Sequence, residues 1–190
     1  MRYSEKYLKA VENPKIISMV SIVEKGNYKA NEKVYLNTVS ETVARKIFAL
    51  TGINVTGFKV AIEARQINHI LKDHGKHGRT DKSMSEISDI AKMEYVLDKP
   101  DYIRKAGKTQ AYTYMSNGRN KTADTILYEK SIGDKSYYVV QAVADTNAKT
   151  LYIVTAFIGN KGYKKEVSQL INAKSPDATP KSGSASTSTN

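Results

Sequence analysis

All three histidines of the chain fall in one stretch, Asn68-His69-Ile70-Leu71-Lys72-Asp73-His74-Gly75-Lys76-His77-Gly78-Arg79. Imidazole changes charge near neutral pH, so this stretch gathers groups that can act there as base or as acid. Lys72, Lys76, Arg79 and Lys82 stand around them as cations. These residue types suit ribose-assisted cleavage of a phosphodiester. The 2′-oxygen of RNA is then the nucleophile, so the protein needs no serine or cysteine of its own. It needs a base for the 2′-OH, an acid for the departing 5′-oxygen, and cations for the charge growing on phosphate. The product is a 2′,3′-cyclic phosphate, and DNA, lacking the 2′-OH, resists.

Two duller arrangements fit the same stretch. His74 can be a core residue bonded to a backbone carbonyl, with His69 on the surface. A metal site built from His69, Asp73, His74 and His77 has suitable ligand types. Its histidine spacings of five and three are not those of a helical i, i+4 pair, so no metal or other cofactor is expected.

The second half of the chain offers partners for a site. Thr155 is the one hydroxyl on a strand face it shares with Leu151, Ile153 and Phe157, and is either bonded to backbone or aimed at a site. Lys130 shares a face with Ile126 and Tyr128, where a lysine is unusual unless it snorkels to solvent.

The elements that must position these groups change character midway. Residues 1–37 read weakly as a helix near Ser4–Val11, then strands at Ile16–Val23 and Lys33–Leu36. A capping box at Thr38 and Glu41 opens a helix carrying Val43, Ile47 and Leu50, which Gly52 ends. A second helix covers about Val60 to Asp73, its buried stripe formed by Val60, Ala64, Ile67 and Leu71, with Gly75 beyond its end. His69 then points away from that stripe, while His74 falls near it if the helix reaches that far, or else projects from the C-terminal end, where a histidine cation is favoured. His77 lies in a glycine-flanked loop. A third helix runs from Ser83 to Leu97, closed by Pro100.

Short strands follow at Tyr102–Lys105 and Gln110–Met115, with a loop from Asn117-Gly118. Longer, largely apolar strands come next at Thr125–Lys130, Tyr137–Ala144 and Leu151–Ile158, joined by hairpin-length linkers. A helical turn near Tyr163–Ile171 precedes a tail without large apolar side chains. Helices first and antiparallel strands after give an α+β domain, with N-terminal helices packed on a four- or five-stranded antiparallel meander. The expected organisation is an extension at 1–37, a domain at 38–173 and a disordered tail at 174–190.

Composition narrows the partners. Thirty Lys+Arg against 19 Asp+Glu give a formal net charge of +11, which draws in polyanions, nucleic acid first among them and an anionic membrane surface second. Thirteen tyrosines and three phenylalanines supply stacking surfaces for bases. The absence of cysteine excludes disulfides, thiol catalysis and zinc–thiolate sites. The longest apolar run, Ile16 to Val23, is interrupted by Ser18 and Ser21 and is too short to cross a bilayer, so no membrane partner is expected. No signal peptide is read, and a cytoplasmic protein follows by default.

Residues about 38–160 resemble the phage-associated barnase–EndoU–colicin–RelE-like nuclease domains, the BECR fold. The resemblance is carried by Val43-Ala44-Arg45-Lys46-Ile47, Thr51-Gly52-Ile53-Asn54-Val55, Asn68-His69-Ile70 and Asp73-His74-Gly75. Val96-Leu97-Asp98-Lys99-Pro100-Asp101-Tyr102-Ile103 and Ile153-Val154-Thr155-Ala156-Phe157 complete it, in the same order. It implies metal-independent endoribonuclease activity, with tRNA a candidate substrate. His69 and His74 then take acid/base roles, with Lys130 and Thr155 in the sheet-side half of the site. Arg79 and Tyr128 then become substrate contacts, joining Lys72, Lys76 and His77, which the histidine stretch itself offers for that role. An acidic immunity or antitoxin protein is the partner such a toxin would need, acting in the bacterial host cytoplasm or in association with a virion. The competing readings are a non-catalytic RNA-binding module and a phage structural or assembly protein with a basic nucleic-acid-binding face. The enzyme reading requires that the imidazoles share a cleft with Lys130 and Thr155.

Overall fold

Asn13 and Pro14 start the first element, for physical reasons that the apolar run behind them obscures. The Asn13 carboxamide oxygen accepts the N–H groups of Lys15 (2.8 Å) and Ile16 (3.3 Å), and Pro14 occupies the first helical turn, where its missing N–H costs nothing. The result is helix α1 (Pro14–Glu24), which corrects the strand expected at Ile16–Val23. Ile16, Met19, Val20 and Val23 recur at i, i+3, i+4 and i+7 and are all buried. Each contributes about 1.5–3 kcal/mol of burial.

The structure, a computed structural model, describes residues 11–105, 112–116, 119–123, 125–132 and 136–159. After α1 come β1 (Lys33–Thr38), α2 (Glu41–Thr51), β2 (Lys59–Glu63), α3 (Ala64–His74), α4 (Ile87–Ala91) and α5 (Met93–Asp98). The strands β3 (Tyr102–Lys105), β4 (Tyr112–Ser116), β5 (Arg119–Ala123), β6 (Ile126–Ile132), β7 (Ser136–Asp145) and β8 (Thr150–Gly159) complete the described chain. The cap of α2 is Ser40, which accepts from Val43 N–H, rather than Thr38, and Gly52 ends the helix with φ 73°. The helix expected near Ser4–Val11, the turn near Tyr163–Ile171 and the tail lie outside the described residues.

The fold is α+β, as expected, but its main sheet is six-stranded and mixed, in the order β1-β2-β8-β7-β6-β3. The four- or five-stranded meander is therefore corrected. The meander is present as β3, β6, β7 and β8, all antiparallel neighbours. Two further strands come from the N-terminal half, and β2 joins the meander in parallel with β8. β4 and β5 pair only with each other, in a two-stranded sheet of their own.

Paired residues share a sheet face, so the register sorts the side chains. Val34, Val60, Ile62, Leu151, Ile153, Ala156, Val140, Ala142, Ile126 and Tyr128 face the helices and form one core with α1–α5. α1 and β1, both beginning before residue 38, belong to that core and that sheet. The opposite face carries Lys33, Tyr35, Ala61, Glu63, Tyr152, Gln141, Val139 and Glu129.

Candidate active site

The histidine helix begins later than its periodicity suggests. Val60 and Ile62 point into the core from β2, and α3 starts at Ala64 with no intervening turn. The N–H groups of Ala64 and Arg65, unpaired at a helix start, are taken by the carbonyls of Glu32 (2.8 Å) and Ala30 (3.1 Å). Ala64, Ile67 and Ile70 then seat α3 on the core.

Beyond Gly75 the chain folds back over the helix end and satisfies its last carbonyls. Arg79 N–H donates to Lys72 O (2.9 Å), Thr80 and Asp81 N–H to Asp73 O (3.0 and 3.1 Å), and Met84 N–H to His74 O (2.8 Å). Only glycine fits at Gly78, where a Cβ would come within 2.0 Å of the Asp81 carbonyl oxygen. The helix itself sets Asp73 one turn from His69, and the return sets Asp81 beside His74. His69 Nδ1 lies 2.8 Å from Asp73 Oδ2, and His74 Nδ1 lies 2.9 Å from Asp81 Oδ2.

In the neutral ring a carboxylate at Nδ1 holds the proton there and leaves Nε2 as the acceptor. The two rings stand edge to face, 6.5 Å between centroids. His69 is 45% exposed and His74 12%. Asp73 also accepts Arg79 Nε (2.9 Å), and that guanidinium, with His69 and His74 adding to it, holds the Asp73 carboxyl below the usual range. Part burial works against the charge on Asp81. The Ser83 N–H and hydroxyl, together with His74, outweigh it, and Asp81 too is held low.

A carboxylate with a depressed pKa adds stability above its unfolded value, near 3.9, and loses it as pH falls through the lower folded value. Replacing Asp73 by Asn is therefore expected to flatten the acid limb of the stability curve below about pH 4. Urea melts between about pH 2 and 6 read this directly; an unchanged limb would show that the Asp73 interactions contribute nothing to acid stability.

The sheet contributes the other wall. The partner of Gln141 on β8 is Thr155, but the partner of Ala142 is Ile153, so Val154 is an extra residue bulged out of register. Strict alternation, which would put Thr155 with Leu151 and Ile153, is thereby broken. Leu151 and Ile153 face the helices, while Thr155 and Phe157 share the opposite face with Gln141 and Val139. The His74 ring packs on Phe157 at 5.5 Å between centroids, two residues along the strand from Thr155. Thr155 Oγ1 is buried with no hydrogen-bond partner among the described residues.

Of the residues expected in the site, the structure thus brings His69 and His74 together and sets His74 on Phe157, which shares its sheet face with Thr155. Lys130 and Tyr128 are on the helix side of the sheet. Lys130 Nζ binds Asp101 Oδ1 (2.9 Å) and sits 5.1 Å from the centre of the Tyr95 ring. Asp101 also accepts the Ser131 N–H, so the lysine ties β6 to the start of β3. Tyr128 is fully buried, and burial pushes its phenol pKa up. Lys72, Lys76, His77 and Arg79 line an open depression of about 580 Å³ with Asn68, Leu71 and, from α1, Val23 and Glu24. Asn68 and Lys72 lie on the side of α3 turned away from its Ile67–Ile70–His74 stripe, while Leu71 borders the stripe and packs against the core.

Spacing gave no hint of Asp81, seven residues from His74 and joined to it only by the folded-back loop. Glu129 was also missed. It is fully buried on the face and row of Val139 and Phe157, and Arg104 Nε donates to its Oε1 at 2.9 Å. A charged residue in an apolar strand was its one signal. Among the described residues no three His, Asp or Glu side chains converge as a metal-ligand group. No helix among them is long and apolar enough to cross a membrane.

A family model, described as phage-Barnase-EndoU-ColicinE5/D-RelE like nuclease3, matches residues 37–166. The chain belongs to this family. The matched segment contains both imidazole–carboxylate pairs, the β8 bulge and all four meander strands of this nuclease-family domain. No curated protein and no solved structure matches the chain.

Proposed function

We propose that this nuclease-family chain is a metal-independent endoribonuclease that cleaves by 2′-OH transesterification. One observation carries the reading: two imidazoles 6.5 Å apart between centroids, each held at Nδ1 by a carboxylate, with His74 on Phe157, whose sheet face also carries a threonine hydroxyl without a partner among the described residues. One ring takes the proton from the 2′-OH as its oxygen attacks phosphorus. The other gives a proton to the 5′-oxygen as the P–O bond breaks, leaving a 2′,3′-cyclic phosphate and a 5′-OH. The buried Thr155 hydroxyl donates to a phosphoryl oxygen where charge develops. The Lys72–Lys76–Arg79 depression holds a neighbouring stretch of the same backbone on the His69 side, since Arg79 shares Asp73 with His69. Folded RNAs such as tRNA, which present phosphates on several sides, suit two such surfaces. An acidic inhibitor protein would suit the same basic surface.

The test is to incubate the full chain with matched RNA, 2′-O-methyl RNA and DNA strands in EDTA. RNA alone is expected to be cut, with cyclic phosphate ends. Cutting of the 2′-O-methyl strand would overturn the 2′-OH mechanism. Tight RNA binding without any cutting would favour a binding module, and equal binding of DNA an assembly role.

A further inference from the structure

The face that carries Thr155 and Phe157 continues towards β1 as a row that the proposed chemistry does not use. Tyr35 of β1, Ala61 of β2 and Tyr152 of β8 are successive partners across three strands. Ala61 adds no bulk between the two tyrosine strands. Tyr35 is 46% exposed, one of few large apolar side chains so open among the described residues. Each ring has its own lysine. Lys59 Nζ is 5.6 Å from the centre of the Tyr35 ring, and Lys33 Nζ is 4.8 Å from that of Tyr152 while donating to its hydroxyl at 2.8 Å. Along β8, Tyr152 is three residues from Thr155, roughly 10 Å at strand rise.

We propose that Tyr35 and Tyr152, with Lys33 and Lys59, form a stacking subsite for unpaired bases of the RNA strand that flank the cleaved bond. The inference rests on the nuclease reading of the same face and extends it. Ring faces accept any base, so the subsite selects single strands over duplexes rather than one sequence over another. The lysines serve twice: they hold the rings by cation–π contact in the free protein, and they lie where the backbone of a stacked strand carries its phosphates. A chain with net charge +11 favours such a polyanion over a neutral or basic partner.

The experiment measures fluorescence anisotropy of an uncleavable 2′-O-methyl oligonucleotide, single-stranded or as a duplex, with the full chain. Tyr35→Ala is expected to weaken single-strand binding by about 5- to 160-fold, the range for removing one base-stacking ring. Tyr35→Phe should keep most of it, and duplex binding should change little. Tyr152→Ala should act in the same direction. Thermal melting of each variant separates lost stacking from lost fold; Tyr35, being open, is the safer position. Unchanged single-strand affinity in both alanine variants, or equal losses on duplex, would overturn the subsite. If RNA is not cleaved at all but Tyr35→Ala still weakens single-strand binding, the nuclease reading falls and the subsite stands.

Discussion

His74→Asn is expected to lower kcat for RNA cleavage by about 10²–10⁴-fold, with KM and the melting temperature nearly unchanged. Asparagine suits this test because its side-chain amide can donate to Asp81 from near the Nδ1 position, so the loop contact survives. What disappears is Nε2, the atom proposed to move the proton. His69→Asn makes the same replacement opposite Asp73 and should fall by a similar factor. If the rings act as one acid/base pair, the double variant should be hardly worse than the poorer single one, since neither ring completes the reaction alone. Asp81→Asn is the companion: it leaves both imidazoles but lets the His74 ring take either tautomer, so kcat should drop while RNA affinity holds. Full activity in His74→Asn would remove this residue from the mechanism, and a large fall in Tm with proportionate loss of RNA binding would reduce its role to packing.

Much of the scaffold for these rings was legible because its signals are local. Alternation and short linkers mark β6, β7 and β8 to within about two residues, and the chemistry of Gly52 marks the end of α2. Trouble arose where two periodicities meet. Val60, Ala64, Ile67 and Leu71 fit one helical stripe, yet Val60 and Ile62 also alternate as a strand; the tertiary partner β8 decides, and no local residue records it. The helix expected over Ser83–Leu97 breaks at Lys92 into α4 and α5. Its apolar spacing of Ile87, Ile90, Met93 and Val96 is three throughout, tighter than the 3.6 of a sustained α-helix.

The site was legible in its titrating groups and obscure in its orientation. A cluster of the chain's only histidines is visible in composition, but which way they point depends on the return loop that brings Asp81 to His74. A single inserted residue, Val154, moves Thr155 from one face of the sheet to the other. Lys130 and Thr155 therefore part company, although each had looked inward on its own strand. Parity along a strand places a side chain only as long as the ladder is unbroken, and bulges concentrate beside functional sites.

That displaced threonine gives the second large effect, and its sign differs between two measurements. Thr155→Val keeps volume and β-branching while deleting a hydroxyl that is buried and has no hydrogen-bond partner among the described residues. Burying such a group costs on the order of 1–3 kcal/mol, so its removal is expected to raise stability by about 1 kcal/mol and Tm by roughly 2–4 °C. Cleavage should meanwhile slow by about 10²–10³-fold, because the phosphoryl oxygen loses the donor awaiting it where negative charge grows. A packing residue would show the opposite pattern: no gain in Tm and no loss in kcat. Thr155→Ser divides the case further. It restores the hydroxyl without the methyl group, so activity should return in part while the cavity left by that methyl lowers Tm. Stability and rate moving in opposite directions between threonine and valine, with serine restoring part of the rate, would mark a hydroxyl kept at a cost to the fold for the sake of the transition state.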